Sequence, residues 1–197
     1  MMGHAGMAAT AVRFLHSADP LPPPELRCVR EDERAPIAPS ELRRVLSHFA
    51  SGVTVITSPA TDDDPSPAGF ACQSFASLSL TPPLVAFMVA RTSTTWPRIA
   101  RAGVFCVNIL GDHQAELCRA FAISGADKFA GVTHTPAPST GSPLLDGAPA
   151  WIDCTIHTVH TGGDHLIVVG RVQSLDTPAP NRPPLLFFRG GFGSFCD

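Results

Sequence analysis

The sequence predicts a mainly β protein with short α insertions, closed or nearly closed into an antiparallel barrel. Three observations carry that expectation. Strand-length runs of apolar and β-branched residues follow one another along the chain, with only short helical stretches between them. No G-x-G-x-x-G follows a strand and no strand–helix–strand period repeats, which argues against a dinucleotide-binding parallel sheet. An antiparallel sheet of this many strands has edges to hide, and closure removes them.

Residues 1–38 contain PLPPPELR and the charged cluster EDER, with no sustained period of 3.6 or 2. Such a segment buries too little apolar surface to offset its ordering entropy, so a flexible Pro-rich extension is expected there and a folded domain over 39–197. Ser40 is expected to cap a helix with Leu42, Val45, Leu46 and Phe49 on one face, ended by Gly52. Val53–Thr57 is a β-branched strand, and TDDDPSP after it is a hairpin-type loop. Gly69–Ser74 reads as a strand with Phe70 and Cys72 on one face and Ala71 and Gln73 on the other. A Ser-rich turn then runs into the Pro82-Pro83 break, and Leu84–Val89 reads as a strand buried on both faces.

Pro97 opens a second short helix and Gly103 closes it. Val104–Leu110 is the next strand, and Asp112 is placed to cap a third helix over 113–121, where Leu117 and Phe121 share a face. The segment 138–149 is expected to supply turns rather than a long element. Trp151–His160 alternates cleanly with Ile152, Cys154 and Ile156 inward, Thr161–Asp164 turns the chain, and His165–Leu175 returns. LLFFR forms the last strand.

The chain has 197 residues, 44% of them hydrophobic, enough for one domain with a sizeable core. A net charge of −3 with 14 Lys+Arg argues against nucleic acid as a partner. No apolar run approaches the roughly 20 residues that cross a bilayer, and the N-terminus lacks a signal-peptide core, so no membrane and a cytoplasmic home are expected. The six cysteines are widely scattered without a C-x-x-C, and the reduced, buried reading is preferred.

Chemistry-bearing residues are sparse. Cys154, His157, His160 and His165 lie close in sequence, but on a strand Cys154 opposes His157 and His157 opposes His160, so no metal site is expected. No serine sits in a nucleophile elbow, and Asp62-Asp63-Asp64 is a solvated loop. The hydroxyls Ser74, Ser77, Ser79, Thr81 and Ser93 suit an anion, though on composition alone they mark a hydroxyl-rich turn first. Lys128, the only lysine, lies between Phe121 and Phe129; on charge alone it is a solvent-facing cation before it is a phosphate partner. His165 reads equally as a surface histidine and as a ligand contact.

GFACQSFASLSLTPPLVAF from Gly69, S-x-T-W at 93–96, GVFCVNIL from Gly103, FAxxxxDKFAG from Phe121, GGDHLIVVGRV and PLLFFRG occur in one order. Over about Ser40–Gly190 this resembles the flavin reductase family with the FMN-binding split-barrel fold. Within it, GFACQSFASLSL and HTGGDH are most similar to reductase components of two-component flavin-dependent monooxygenases acting on aromatic or steroid-derived phenols.

The resemblance implies a Greek-key-like antiparallel split barrel and a homodimer. It implies an NAD(P)H:flavin oxidoreductase that supplies reduced FMN or FAD to a separate monooxygenase. NADH is favoured over NADPH because no basic cluster adjoins the Gly-Gly turn. Cofactor-binding positions carry over onto Ala71, Cys72, Gln73, Ser74, Ser77, Leu78, Ser93, Thr94, Cys106, Val107, Asn108 and Lys128. Nicotinamide-side positions are Gly162, Gly163, Asp164 and His165, with His165 the catalytic-position residue, orienting nicotinamide or flavin. The chain has no tyrosine, so a ring partner must be Phe or Trp, such as Phe188, Phe192 or Trp151. The alternative is a non-catalytic flavin carrier of the same fold.

Overall fold

The computed structural model describes residues 37–195. The reading of 1–38 as a flexible extension lies outside the described residues, save for Ile37 and Ala38. Among the described residues the elements run α1 (Pro39–Leu46), β1 (Ser51–Gly52), β2 (Thr54–Ser58), β3 (Ala68–Cys72), β4 (Phe75–Leu80), β5 (Pro83–Ala90), α2 (Trp96–Ala102), β6 (Val104–Ile109) and a 3-10 turn (Asp112–Gln114). They continue with α3 (Ala115–Ala122), β7 (His134–Pro136), β8 (Pro143–Leu145), β9 (Ala150–Gly162), β10 (His165–Asp176), β11 (Leu185–Phe188) and β12 (Gly191–Ser194). The fold is mainly β, with three short helices in the described chain, as expected. None of those helices is long and apolar enough to cross a membrane.

Seven strands form one antiparallel sheet in the order β3-β2-β6-β9-β10-β5-β4. Its two edge strands, β3 and β4, are consecutive in the chain, with only Gln73 and Ser74 between them. The inner face carries one core cluster: Ile56, Cys72, Val85, Phe87, Val89, Phe105, Val107, Cys154 and Val168 among others, closed at one side by Ile99 of α2. Phe87 is its centre, in edge contact with Phe70, Trp96 and Phe105. A second cluster, on the other face of β2, joins Val53, Val55, Leu110, Cys118, Phe121, Leu145 and Leu185. Alternation along β3 supplies both: Phe70 and Cys72 serve the first cluster and Ala71 the second.

Several elements depart from the sequence reading. The Ser-rich stretch is a strand, not a turn: β4 pairs along β5, Ser77 opposite Val85 and Ser79 opposite Leu84, with an irregularity at Leu78. A partner strand outweighed the poor β propensity of serine, as tertiary context does. β5 is buried along most of its length, but Met88 is 40% exposed. The first helix starts at Pro39, so Ser40 lies inside it, and it ends at Leu46, well before Gly52, which pairs with Leu186. Its apolar stripe buries nothing: Leu42, Val45 and Leu46 are about half exposed and Phe49 more so.

Before α3 the Gln114 side chain accepts the Gly111 N–H at 3.0 Å, so this pair, not Asp112, closes the turn. The β7–β8 hairpin inside 134–145 and the final strand β12 were not read from the sequence. Both are short, local pairings: β12 folds back on β11 across Arg189 and Gly190, which take positive φ, and β7 pairs with β8 across a six-residue loop. Cys72, Cys106, Cys118 and Cys154 are buried free thiols. Burial first, then the Asp153 carboxylate, pushes Cys154 up to about 12 and raises Cys106 as well, so both are inert at neutral pH.

Gly170 shows how tight the inner face is. A Cβ there would meet the Phe105 ring and, at 3.3 Å, the Cys154 Cβ. Gly170→Ala is expected to destabilise the protein by about 1–3 kcal/mol through overpacking, read as a lowered midpoint of urea unfolding; an unchanged midpoint would refute this packing.

Candidate functional site

A cleft of about 660 Å³ opens where β3, the Gln73-Ser74 link, the end of β5 and the Thr92–Thr95 loop meet α3 and β12. Its shape follows from local bonding. The Ser74 hydroxyl donates to the Met88 carbonyl at 2.9 Å and accepts the Met88 N–H at 3.2 Å, which pins the link against β5. Beyond β5, Ser93 Oγ accepts the Trp96 N–H at 3.2 Å, and α2 then runs to Gly103, whose φ of +70° suits glycine. The Arg91 N–H donates to the Asp164 carbonyl at 3.0 Å, tying the β9–β10 turn to the end of β5 and placing His165 on the cleft wall.

The opposite side is set by α3. Its Phe121 ring lies so close to β3 that a Cβ at Gly69 would meet Phe121 Cε1 at 2.7 Å. Phe121 stacks edge-on with Phe129 at 5.1 Å, and that loop delivers Lys128, whose Nζ donates to the Gly69 carbonyl at 3.1 Å. Burial, and then the Arg98 guanidinium, hold the Lys128 ammonium below the ordinary lysine range. Phe192 completes the aromatic wall, in edge contact with Phe187 at 5.5 Å and beneath the Arg119 guanidinium at 5.0 Å. At the mouth, His165 Nδ1 and Asp164 Oδ1 are 2.8 Å apart, and that hydrogen bond holds Asp164 below the usual carboxylate range.

The structure brings together Ala71, Cys72, Gln73, Ser74, Ser93, Thr94, Lys128 and His165 on this one cleft. Ser77 and Leu78 lie further along β4, exposed and outside its lining. Cys106, Val107 and Asn108 are fully buried in β6, away from the cleft wall. Asn108 is spent on the fold: Nδ2 donates to Val55 O, Thr57 Oγ1 and Pro143 O, while Oδ1 accepts the Leu145 N–H at 2.8 Å. Gly162, Gly163 and Asp164 form the turn behind His165 and do not themselves line the cleft.

Of the three aromatic candidates only Phe192 lines it. Phe188 stacks on His48, and Trp151 faces a separate hollow beside the β7–β8 hairpin. Met88, Thr95 and Phe187 line the cleft without having been singled out; the Thr92–Thr95 hydroxyl run was the one signal for Thr95.

An apolar and aromatic lining together with hydroxyls, a half-buried ammonium and an imidazole suits a planar ring carrying a phosphorylated arm. Comparisons with known proteins point the same way. A profile described as the flavin reductase like domain matches residues 46–195. The chain is 51% identical, over 79% of its length and 77% of the relative's, to the reductase subunit HsaB of a flavin-dependent monooxygenase from Rhodococcus jostii. Component B of a nitrilotriacetate monooxygenase from Mycobacterium thermoresistibile superposes with a TM-score of 0.75 at 46% identity, covering 80% of this chain and 86% of that one. An NADH:FAD oxidoreductase from Streptomyces globisporus, solved with NAD and FAD fragments, gives 0.74 at 34% identity, covering 86% and 97%.

The placement of Asn108 has a direct consequence. Asn108→Leu leaves the buried Leu145 N–H without its acceptor and is expected to cost about 1–3 kcal/mol in urea unfolding. Loss of ligand affinity without loss of stability would instead return Asn108 to the binding site.

Proposed function

Because the chain belongs to the flavin reductase like domain family, we propose that it is the reductase component of a two-component monooxygenase system, oxidising NAD(P)H and releasing reduced FMN or FAD to a separate oxygenase. The observation that carries this reading is the cleft, which gathers ring-stacking, hydroxyl and ammonium groups from four separate parts of the chain. In support, HsaB is the reductase subunit of a flavin-dependent monooxygenase, the Mycobacterium protein is component B of a nitrilotriacetate monooxygenase, and the Streptomyces oxidoreductase was solved with NAD and FAD fragments.

Flavin, when bound, supplies the hydride acceptor, and the protein binds, orients and excludes water. Val53, Ala71, Phe187 and Phe192 offer apolar surface to a ring system. Ser93, Thr94 and Lys128 offer donors to a phosphate. Ser74 already spends its hydroxyl on Met88, so its part is to fix the wall. His165 lines the cleft with its Nδ1 bonded to Asp164, which leaves Nε2 for a nicotinamide. No general acid is required, which fits a cleft without a buried carboxylate among the described lining residues.

The finer architecture belongs to the same reading: a split barrel closed through the Gln73-Ser74 link, and a homodimer. The exposed stripe of α1 supports the dimer, since a helix that buries nothing among the described residues leaves Leu42, Val45 and Leu46 for a second copy to cover.

Oxidation of NADH, followed by its absorbance with FMN, FAD or no flavin added, is expected only when flavin is present. Flavin binding without oxidation would make the chain a carrier instead. His165→Ala is expected to raise the KM for NADH about tenfold, the worth of one hydrogen bond to a ligand, and to leave flavin affinity within about twofold. Leu46→Glu is expected to turn a dimer into a monomer in sedimentation; a wild-type monomer would refute the homodimer.

A further inference from the structure

Met88 is the one methionine among the described residues, and it stands at the cleft. On β5 the side chains of Val85, Phe87 and Val89 enter the core, so alternation turns Met88 to the opposite face, where it is 40% exposed. We propose that the Met88 thioether is a reversible oxidation site: hydrogen peroxide, formed when reduced flavin is lost to dioxygen, converts it to the sulfoxide, which weakens flavin binding and so slows flavin reduction. The inference rests on the reductase reading above and adds a regulation to it.

The chemistry balances with dioxygen as the only further reactant. Dioxygen takes two electrons and two protons from reduced flavin that no oxygenase has collected, leaving oxidised flavin and hydrogen peroxide. The Met88 sulfur then gives a lone pair to one peroxide oxygen. The S–O bond forms, the O–O bond breaks, and the other oxygen leaves as water with both protons. The sulfur is oxidised by two electrons and the peroxide is reduced by two.

The surroundings direct the oxidant to this sulfur. Cys72 and Cys118 also line the cleft but are only 4% and 5% exposed, and burial raises both thiols, which removes the thiolate that peroxide attacks. Cys106 and Cys154 are fully buried. A thioether needs no deprotonation, so exposure alone decides, and among the described residues Met88 is the exposed sulfur. Its backbone is fixed: the Ser74 hydroxyl donates to the Met88 carbonyl and accepts its N–H, and Ile167 of β10 lies opposite. Oxidation therefore leaves the strand in place and changes only what the cleft presents. A flexible apolar thioether becomes a polar sulfoxide, whose oxygen must be desolvated when a ring system fills the cleft.

The full chain is treated with hydrogen peroxide, alone and with FAD or FMN added. Met88 is followed by peptide mass spectrometry, and flavin affinity is read from flavin fluorescence. The Met88 peptide is expected to gain one oxygen atom, and added flavin to suppress that gain by covering the sulfur. Oxidation is expected to weaken flavin binding about tenfold, and methionine sulfoxide reductases to restore it, as an unpaired polar group pressed against a ring dictates. Met88→Leu has no thioether to oxidise, so its treated and untreated forms are expected to agree within about twofold. During aerobic NADH oxidation without an oxygenase the same modification is expected to build up, and catalase to prevent it. A Met88 that stays unmodified under either treatment, an affinity unchanged by its oxidation, or an equal loss in Met88→Leu would overturn the proposal. Untreated protein that binds neither flavin would instead sink the reductase reading, and the regulation with it.

Discussion

Gln73 and Ser74 are all the chain that separates the two edges of a seven-stranded sheet, and that shortness constrains the rest. Laid flat, seven strands would hold their edges apart by six spacings of about 4.8 Å, roughly 29 Å. Three Cα–Cα steps reach about 11 Å at most. The sheet therefore has to curl far enough to bring the end of β3 to the start of β4, and Phe87 lies buried in the cluster on its inner face. Ser74 makes the corner rigid through two hydrogen bonds to Met88. Serine, short enough to bond the neighbouring strand from its own backbone position, stabilises that corner without filling the cleft beside it.

Because the curl joins strands remote in sequence, it also decides how buried polar groups are satisfied. Thr57 Oγ1 donates to the Pro143 carbonyl at 2.6 Å, and Asn108 bridges β2 and β6 to β8. Asp153, fully buried, accepts the Ser139 and Thr140 N–H groups at 3.0 and 3.1 Å and anchors the loop that returns to β8. Every buried side-chain N and O atom among the described residues has a partner. These bonds fix β6 from behind, away from the cleft. Among the polar residues that reach the cleft, Ser93 accepts the Trp96 N–H, Lys128 donates to the Gly69 carbonyl and His165 pairs with Asp164.

Local pattern made much of this legible in the sequence. Alternation along Gly69–Ser74 divided Phe70 and Cys72 from Ala71, and the two sets fill different clusters. The TGGD turn, the α2 limits at Pro97 and Gly103, and the inward run Ile152, Cys154 and Ile156 follow from residue chemistry that acts over a few positions. Motif order carried the family. Eight of the twelve-plus-four expected site positions meet on one cleft because they sit at strand ends and in loops, where backbone turns aim side chains outward.

What the sequence by itself determined, then, is strand periodicity, turn chemistry and the family's motifs, all local or serial properties of the chain. Tertiary structure decided the rest. The Ser-rich stretch became a strand because β5 lay beside it. Asn108 went to the core because curling the sheet turned that face of β6 toward β8. A second cavity, beside the cleft, exists because a loop at 125–129, α2 and the 64–67 turn, remote in sequence, close around Arg98 and Lys128. Pairing and enclosure depend on which segments meet, and that is a property of the folded chain that no window of residues contains.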